Sequence, residues 1–453
     1  MPFIVLIPGI VCMAAVFRFG TRRAFLTTLV PVLILLPTDF YLRVKHLPPL
    51  SFVDAALFSL GVGLILMDVP QWRFTRMDCW IVVFLFSATY SERIPWGTTG
   101  AVLRLITLVL ECVVPYIAGK MLVEQPGMRV ETVRRVVTLM AIISVLSMPE
   151  FFLSANPNIH FWSHFFPGQW PENRQVRWGH GRVGGPYGGS EQAGMVIMIG
   201  LSLAVWLQGC KYFRAGAAGV KYPLFKHSRT IIFVLVAMLI LAQARGPWIG
   251  TVVALSVASI GRAKHPLRRA VLVFSLGVLV GVPAHSAFKE YISGPLSSVD
   301  SERATAQYRS QLIDNYIPIA KNGGAWGWGN VFPNIGGQSS IDNEYLLIWL
   351  VQGYVGLAAL ILIFVDASGS FLRLAIMARS FQERYFDYTL LGIVLGLGIC
   401  SATVWLTCQS FILFFLIVGW SQAIRPSEAG SQQFVEERVN RELQHAVAVR
   451  VYT

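Results

Sequence analysis

Apolar residues along this chain fall into long blocks separated by polar connectors, and alternating ten-residue strands are absent. The blocks lie at about 2–17, 24–40, 51–69, 79–91, 101–122, 136–153, 191–209, 230–244, 247–261, 270–287, 343–365, 388–406 and 409–424, most of them close to the roughly 20 residues of helix that cross a hydrocarbon core. Inside lipid a backbone must satisfy its own hydrogen bonds, and without a barrel pattern that leaves helices. The pattern predicts an all-α, polytopic membrane bundle of about 13 transmembrane helices, or about 12 if the short first block is re-entrant.

Composition removes the soluble alternative. Of 453 residues, 55% are hydrophobic and 13% charged, and the mean hydropathy is +0.58. A soluble domain carries about 25% charged residues, so the polar cover needed in water is missing.

The net charge of +13 could suggest a nucleic-acid partner, but its distribution argues otherwise. Basic residues gather in alternate connectors: Arg18, Arg22 and Arg23; Arg73 and Arg76; Arg129, Arg134 and Arg135; Lys211, Arg214, Lys221, Lys226 and Arg229; Arg262, Lys264, Arg268 and Arg269; Arg373, Arg379 and Arg384; and Arg425. Positive loops stay in the cytoplasm, so the charge reports topology and no nucleic acid is expected. The amino terminus is then outside and the carboxyl terminus inside. Met1–Phe17 lacks the basic start and small-residue cleavage site of a signal peptide.

The expected organisation is 1–153 as N-terminal transmembrane helices, 154–190 as an external aromatic and arginine loop, and 191–287 as central transmembrane helices. A large external loop follows at 288–342, then C-terminal transmembrane helices at 343–424 and a cytoplasmic tail at 425–453. The tail mixes charges (Glu436, Glu437, Arg438, Arg441, Glu442) and reads as an amphipathic surface helix or a disordered segment. Cys12, Cys79, Cys112, Cys210, Cys400 and Cys408 all lie in or beside apolar blocks, without metal-ligand spacing, and read as small hydrophobes.

Candidate chemistry sits in the external connectors. The first holds His160, Phe161, Trp162, His164, Phe165, Phe166, Trp170, Trp178 and His180 with Arg174, Arg177 and Arg182. The second holds Arg303, Tyr308, Arg309, Trp326, Trp328 and Phe332. Rings that stack on sugar faces beside guanidinium forks that grip phosphate suit a glycosylated phosphate ligand; an interfacial aromatic belt is the plainer reading. Gly179-His180-Gly181-Arg182-Val183-Gly184 fits a dinucleotide-binding pattern, but it follows no strand and lies outside the membrane.

Polar residues also stand at the ends of apolar blocks and inside them. Arg245, in Ala244-Arg245-Gly246-Pro247-Trp248, falls at a helix reversal on the external boundary, with a restart expected at Pro247. It either snorkels or points into an outward cavity. Asp342, in Ser340-Ile341-Asp342-Asn343-Glu344-Tyr345-Leu346, starts a block and is either an N-cap or a general base. Arg104 and Glu111, seven residues apart, share a helix face inside the bilayer, where structural pairing is expected for them, and Asp54 is another intramembrane acid.

Taken in order, four segments resemble the O-antigen ligase and polymerase superfamily of bacterial polysaccharide assembly. They are Arg182-Val183-Gly184-Gly185-Pro186-Tyr187-Gly188 with Gly194; Ala244-Arg245-Gly246; Arg303 with Tyr308, Leu312 and Gly327-Trp328-Gly329; and Asp342-Asn343-Glu344-Tyr345-Leu346 with Gly353, Gly356 and Leu357. The resemblance covers about 182–360. It implies a GT-C-like membrane glycosyltransferase of the bacterial inner membrane, acting on undecaprenyl-diphosphate-linked oligosaccharide with inversion and without a cofactor or metal. A chain-length regulator and a flippase are its implied partners beside membrane lipid.

The resemblance further implies Arg245, Arg303 and Asp342 as catalytic residues. Arg182, Arg309, Asn343, Glu344, Tyr308 and Trp328 are implied to bind substrate. The ligases place a His where this chain has Asp342, which inclines the reading to a repeat-unit polymerase for O-antigen, capsule or exopolysaccharide. If Asp342 only caps, Glu344 is the next candidate base. An O-antigen ligase acting on lipid A–core is the first alternative. A lipid-linked sugar transporter, suggested by Arg104, Glu111 and Asp54, is the second.

Overall fold

The computed structural model describes residues 2–68, 72–153, 155–169, 175–213, 228–293, 301–336, 338 and 340–425. Trp170, Arg174, Arg214, Lys221, Lys226 and the tail expected at 427–453 lie outside the described residues. The chain is an all-α bundle whose named strands are two short antiparallel ribbons, Tyr41–Leu42 with Leu50–Ser51 and Val176–Arg177 with His180–Gly181. Among the described residues, six helices are long and apolar enough to cross a membrane, and Phe52–Met67, Ser228–Leu241 and Gln409–Ser421 are shorter apolar helices. Each block read from the sequence falls on a helix.

Apolar side chains also cover the outer surface: Phe58, Ile65, Val82 and Phe233 are all exposed. Such a surface is stable only against lipid. Since lipid tails are as apolar as leucine, helices associate by close packing instead, and small residues permit it. At Gly119 and Gly419 a Cβ would strike the backbone of the opposite helix, at Leu416 and Tyr116 respectively.

Two helices contain a reversal that the hydropathy pattern placed differently. The polar connector expected between 79–91 and 101–122 is helical except at Gly97, where φ is 64°. The two arms run back along each other, because Lys120 near the end of the second pairs at 2.7 Å with Asp78 near the start of the first. The second arm carries a π-helical turn at Val109–Val113. Pro115 has no N–H for the Glu111 carbonyl four residues earlier, which favours that widened turn. The block read as 24–40 also stops early, at Leu35, because Leu36 precedes Pro37 and is held extended.

Contacts sort the connectors onto two ends. At one end Arg76 meets Asp366, Arg129 meets Glu124, Arg425 meets Asp387, and Arg384 donates to the Gly261 and Ala263 carbonyls. These are the basic connectors expected in the cytoplasm. At the other end Tyr41 meets Gln169, Gln409 donates to the Leu36 and Pro186 carbonyls, Arg177 donates to the Gln243 carbonyl, and the Leu406 N–H donates to Glu344. These are the connectors expected outside.

Candidate functional site

The end of the bundle away from the basic connectors is built around the start of the helix Glu344–Met377. Asn343 is its N-cap, accepting from the Leu346 N–H at 3.0 Å, while its Nδ2 donates to the Ala402 carbonyl at 3.1 Å. Asp342 is therefore not the cap, contrary to the plainer of the two expectations. It accepts from Ser340 Oγ at 2.7 Å and faces Arg309 at 3.7 Å, with both side chains about one-third exposed. Tyr308 donates to the Ser340 carbonyl at 2.9 Å. Asp342, Arg309 and Tyr308 thus meet on the helix Ser301–Asn322, which packs through Leu312 and Tyr316 against Ile341, Leu346 and Leu350.

Nine residues further on, this helix is interrupted at Gly353, with φ 69°. An interruption leaves carbonyls before it and N–H groups after it without helical partners, and in a membrane these must be satisfied. The segment 324–329 does so. The Trp328 and Gly329 N–H groups donate to the Leu350 and Val351 carbonyls, and the Tyr354 and Val355 N–H groups donate to the Gly324 and Ala325 carbonyls. Trp328 donates through Nε1 to the Ile319 carbonyl, so its ring pins this turn to the helix before it. Gly353→Ala has no unstrained conformation and collides with the backbone of 325–327. It is expected to lower the melting temperature in detergent and to expose 301–343 to protease, and an unchanged protease pattern would count against this junction.

Beside the start of the same helix lies a cavity of about 350 Å³. Its polar lining includes Asp54, Arg104, Glu111, Asn330 and Glu344, and Tyr41, Trp405 and Thr407 stand among the loop residues around it. Glu344 is 3% exposed, and one of its oxygens accepts from the Leu406 N–H at 2.9 Å. Asp54 closes a capping box with Ser51. The Arg104 charge acts on Glu92, Glu111 and Glu344. Its Nε is buried with no hydrogen-bond partner among the described residues.

The structural pairing expected of Arg104 and Glu111 thus extends to acids on neighbouring helices and forms a wider cluster. Residues distant in sequence join it because the Gly97 reversal and the 402–407 connector bring their helices to one end. Only the polarity of Arg104, Glu111 and Asp54 within apolar blocks signalled it. A larger cavity of about 770 Å³ lies at the basic end, and apolar residues with Arg18, Arg23 and Arg135 line it.

Asp342 and Glu344 are two residues apart yet serve different neighbourhoods, Arg309 on one side and the Arg104 cavity on the other. Arg245 is exposed in the first turn of the helix Arg245–Arg262, which restarts two residues before the expected Pro247. A first-turn N–H has no helical partner, so proline is accepted at the third position. The next residue, Gly246, packs on Thr403, next to the Ala402 that Asn343 holds. Arg245 thereby shares one end of the bundle with Asp342. Arg303 is half-buried on the helix that carries Tyr308 and Arg309.

Arg182 belongs to a different group. It pairs with Glu191 at 2.7 Å and donates to Gln175, fastening the loop over the helix Ser190–Gly209. The adjoining Gly184 and Gly185 N–H groups, part of the glycine-rich run, donate to Glu150. Among the described residues, no three His, Cys, Asp or Glu side chains are grouped to hold a metal ion.

Fold and site together define a multi-pass membrane protein whose polar chemistry is gathered at one end of a helical bundle. Residues 230–361 match the family model of the O-antigen ligase, a segment that includes Arg245, Arg303, Arg309, Asp342 and Glu344. Over that segment, less than a third of the chain, the protein is similar to the O-antigen ligase family, which supports a likeness to the glycosyl-transferring O-antigen ligase/polymerase superfamily. No curated protein matches the chain.

Proposed function

We propose that the protein is a repeat-unit polymerase of the bacterial inner membrane, extending undecaprenyl-diphosphate-linked oligosaccharide at the external face. The observation that carries this reading is the Asp342–Arg309 pair, set on the family-matched segment at the end of the bundle away from the basic connectors. In the transfer, an acceptor hydroxyl oxygen bonds to the anomeric carbon of the donor. The bond from that carbon to the diphosphate oxygen breaks with inversion, and the lipid diphosphate leaves with the electron pair. The hydroxyl proton passes to Asp342. Arg245 and Arg303, with Arg309, meet the charge that grows on the leaving diphosphate, the electrostatic contribution that is usually largest, so guanidinium groups take the role of a divalent cation.

The test is elongation of a lipid-linked oligosaccharide by the purified protein in detergent. Arg303→Ala and Arg245→Ala are expected to reduce it at least about 100-fold, and lysine at either position is expected to rescue poorly because it lacks the fork. Elongation at the wild-type rate in both alanine variants would refute the assignment.

The match to the O-antigen ligase family favours a second reading in which the acceptor is lipid A–core. Loss of a ligase leaves long chains on the lipid carrier, whereas loss of a polymerase leaves single repeats. Asp342 in place of the ligases' His favours the polymerase. Elongation by the purified protein would also exclude a transporter.

A further inference from the structure

We infer that the cavity around Arg104 and Glu344 seats an uncharged sugar ring, the acceptor of the transfer proposed above, rather than a diphosphate. This assignment rests on the transfer reading for the word acceptor, but not for the sugar.

Hydrogen bonding is the first reason. Three carboxylic acids, Asp54, Glu111 and Glu344, face the cavity beside a single guanidinium. Phosphate oxygens only accept hydrogen bonds, and they meet there a single guanidinium whose donors three carboxyl groups already compete for. Sugar hydroxyls suit the same lining because each both donates and accepts. Carboxylates take their protons, and Arg104 offers donors to their oxygens.

Geometry is the second reason. Glu344 is almost wholly buried and held by the Leu406 N–H, so its free oxygen is aimed before any ligand arrives. Arg104 Nε is buried without a partner among the described residues, which costs free energy unless a ligand acceptor completes it. Trp405 is 42% exposed among the residues of the rim and offers the apolar face a pyranose needs. The volume of about 350 Å³ lies at the lower end of ligand pockets, enough for a ring or two but not for a polyprenyl chain.

The cavity is also placed for the reaction. The residues 38–51, 330 and 405–407 around it belong to external connectors. Glu344 and Asp342 belong to the same short segment at the start of one helix, so a sugar held in the cavity lies at the same end of the bundle as the carboxylate that receives the proton.

Binding to the full-length protein in detergent tests this directly. The probes are the free repeat-unit oligosaccharide, cleaved from its lipid diphosphate by mild acid, and inorganic diphosphate as competitor. The wild type is expected to bind the oligosaccharide, with no displacement by diphosphate. Arg104→Ala and Trp405→Ala are each expected to weaken it at least about tenfold, and Arg104→Lys is expected to restore part of the loss. Arg303→Ala is expected to leave it within about twofold, since Arg303 is assigned to the diphosphate.

Trp405→Ala, at the rim, keeps the test decisive if Arg104→Ala fails to fold. Displacement by diphosphate, or wild-type affinity in both the Trp405→Ala and Arg104→Lys proteins, would overturn the proposal. Arg104-dependent and Trp405-dependent sugar binding in a protein that does not elongate would leave this pocket standing and remove the polymerase. Elongation without that binding would do the reverse.

Discussion

Asp342→Asn is expected to slow glycosyl transfer by about 10²–10⁴-fold, the range for losing a positioned general base, with the protein still folded. The replacement keeps the shape and the hydrogen bond from Ser340 but removes the proton-accepting charge. It also breaks the ion pair with Arg309, whose partners are both about one-third exposed, so little stability is lost with it. Asn343→Ala provides the contrast. It removes an N-cap that also ties the helix to Ala402, and is expected to lower stability by about 1 kcal/mol with a far smaller effect on turnover. Initial rates and melting temperatures of the two purified variants separate the effects. Equal rate losses in both would mean that Asp342 acts only by shaping the turn.

Asp387→Ala is expected to produce the largest loss of stability in the molecule, about 3–5 kcal/mol, as found when one partner of a buried ion pair is removed. Asp387 is fully buried at the end of the basic connectors and accepts from two guanidinium nitrogens of Arg425. Arg425 also approaches Glu124, which binds Arg129 and accepts from Trp420 Nε1. Alanine leaves the Arg425 charge in a site built to neutralise it. The paired replacement of Asp387 and Arg425 by apolar residues is expected to recover much of the loss. Unfolding of the single and double variants in detergent completes the cycle, and additive losses would show that the pair is not coupled.

How much of this was legible in the sequence depends on the kind of signal. Apolar blocks fall on helices because the membrane imposes a minimum length and forbids unpaired backbone. Arginine-rich connectors sort correctly onto one end because that bias is carried by each loop separately. Gly97 and Gly353 were harder. A helix interrupted at one residue leaves the hydropathy of its block unchanged, and only the partner backbone at 324–329 shows why the interruption is stable.

The candidate site divides in the same way. Asp342, Asn343 and Glu344 were read together as one motif, yet the helix start at Glu344 turns neighbouring side chains to different sides. Asn343 caps, Asp342 faces Arg309, and Glu344 faces Arg104. Arg182 carried the same arginine-rich signal as Arg309 but is occupied by Glu191.

The sequence by itself determined that this is an all-helical membrane protein, which of its connectors are basic, and which segment resembles glycan-transferring enzymes. These follow from properties that neighbouring residues share: continuous apolarity, local charge and short motifs. Only the tertiary structure decided which acids and arginines meet. Arg104 and Glu344 are separated by 240 positions and come together because two helices reverse at single glycines and a connector between later helices closes over them. Contacts of that range leave no periodic trace in a chain.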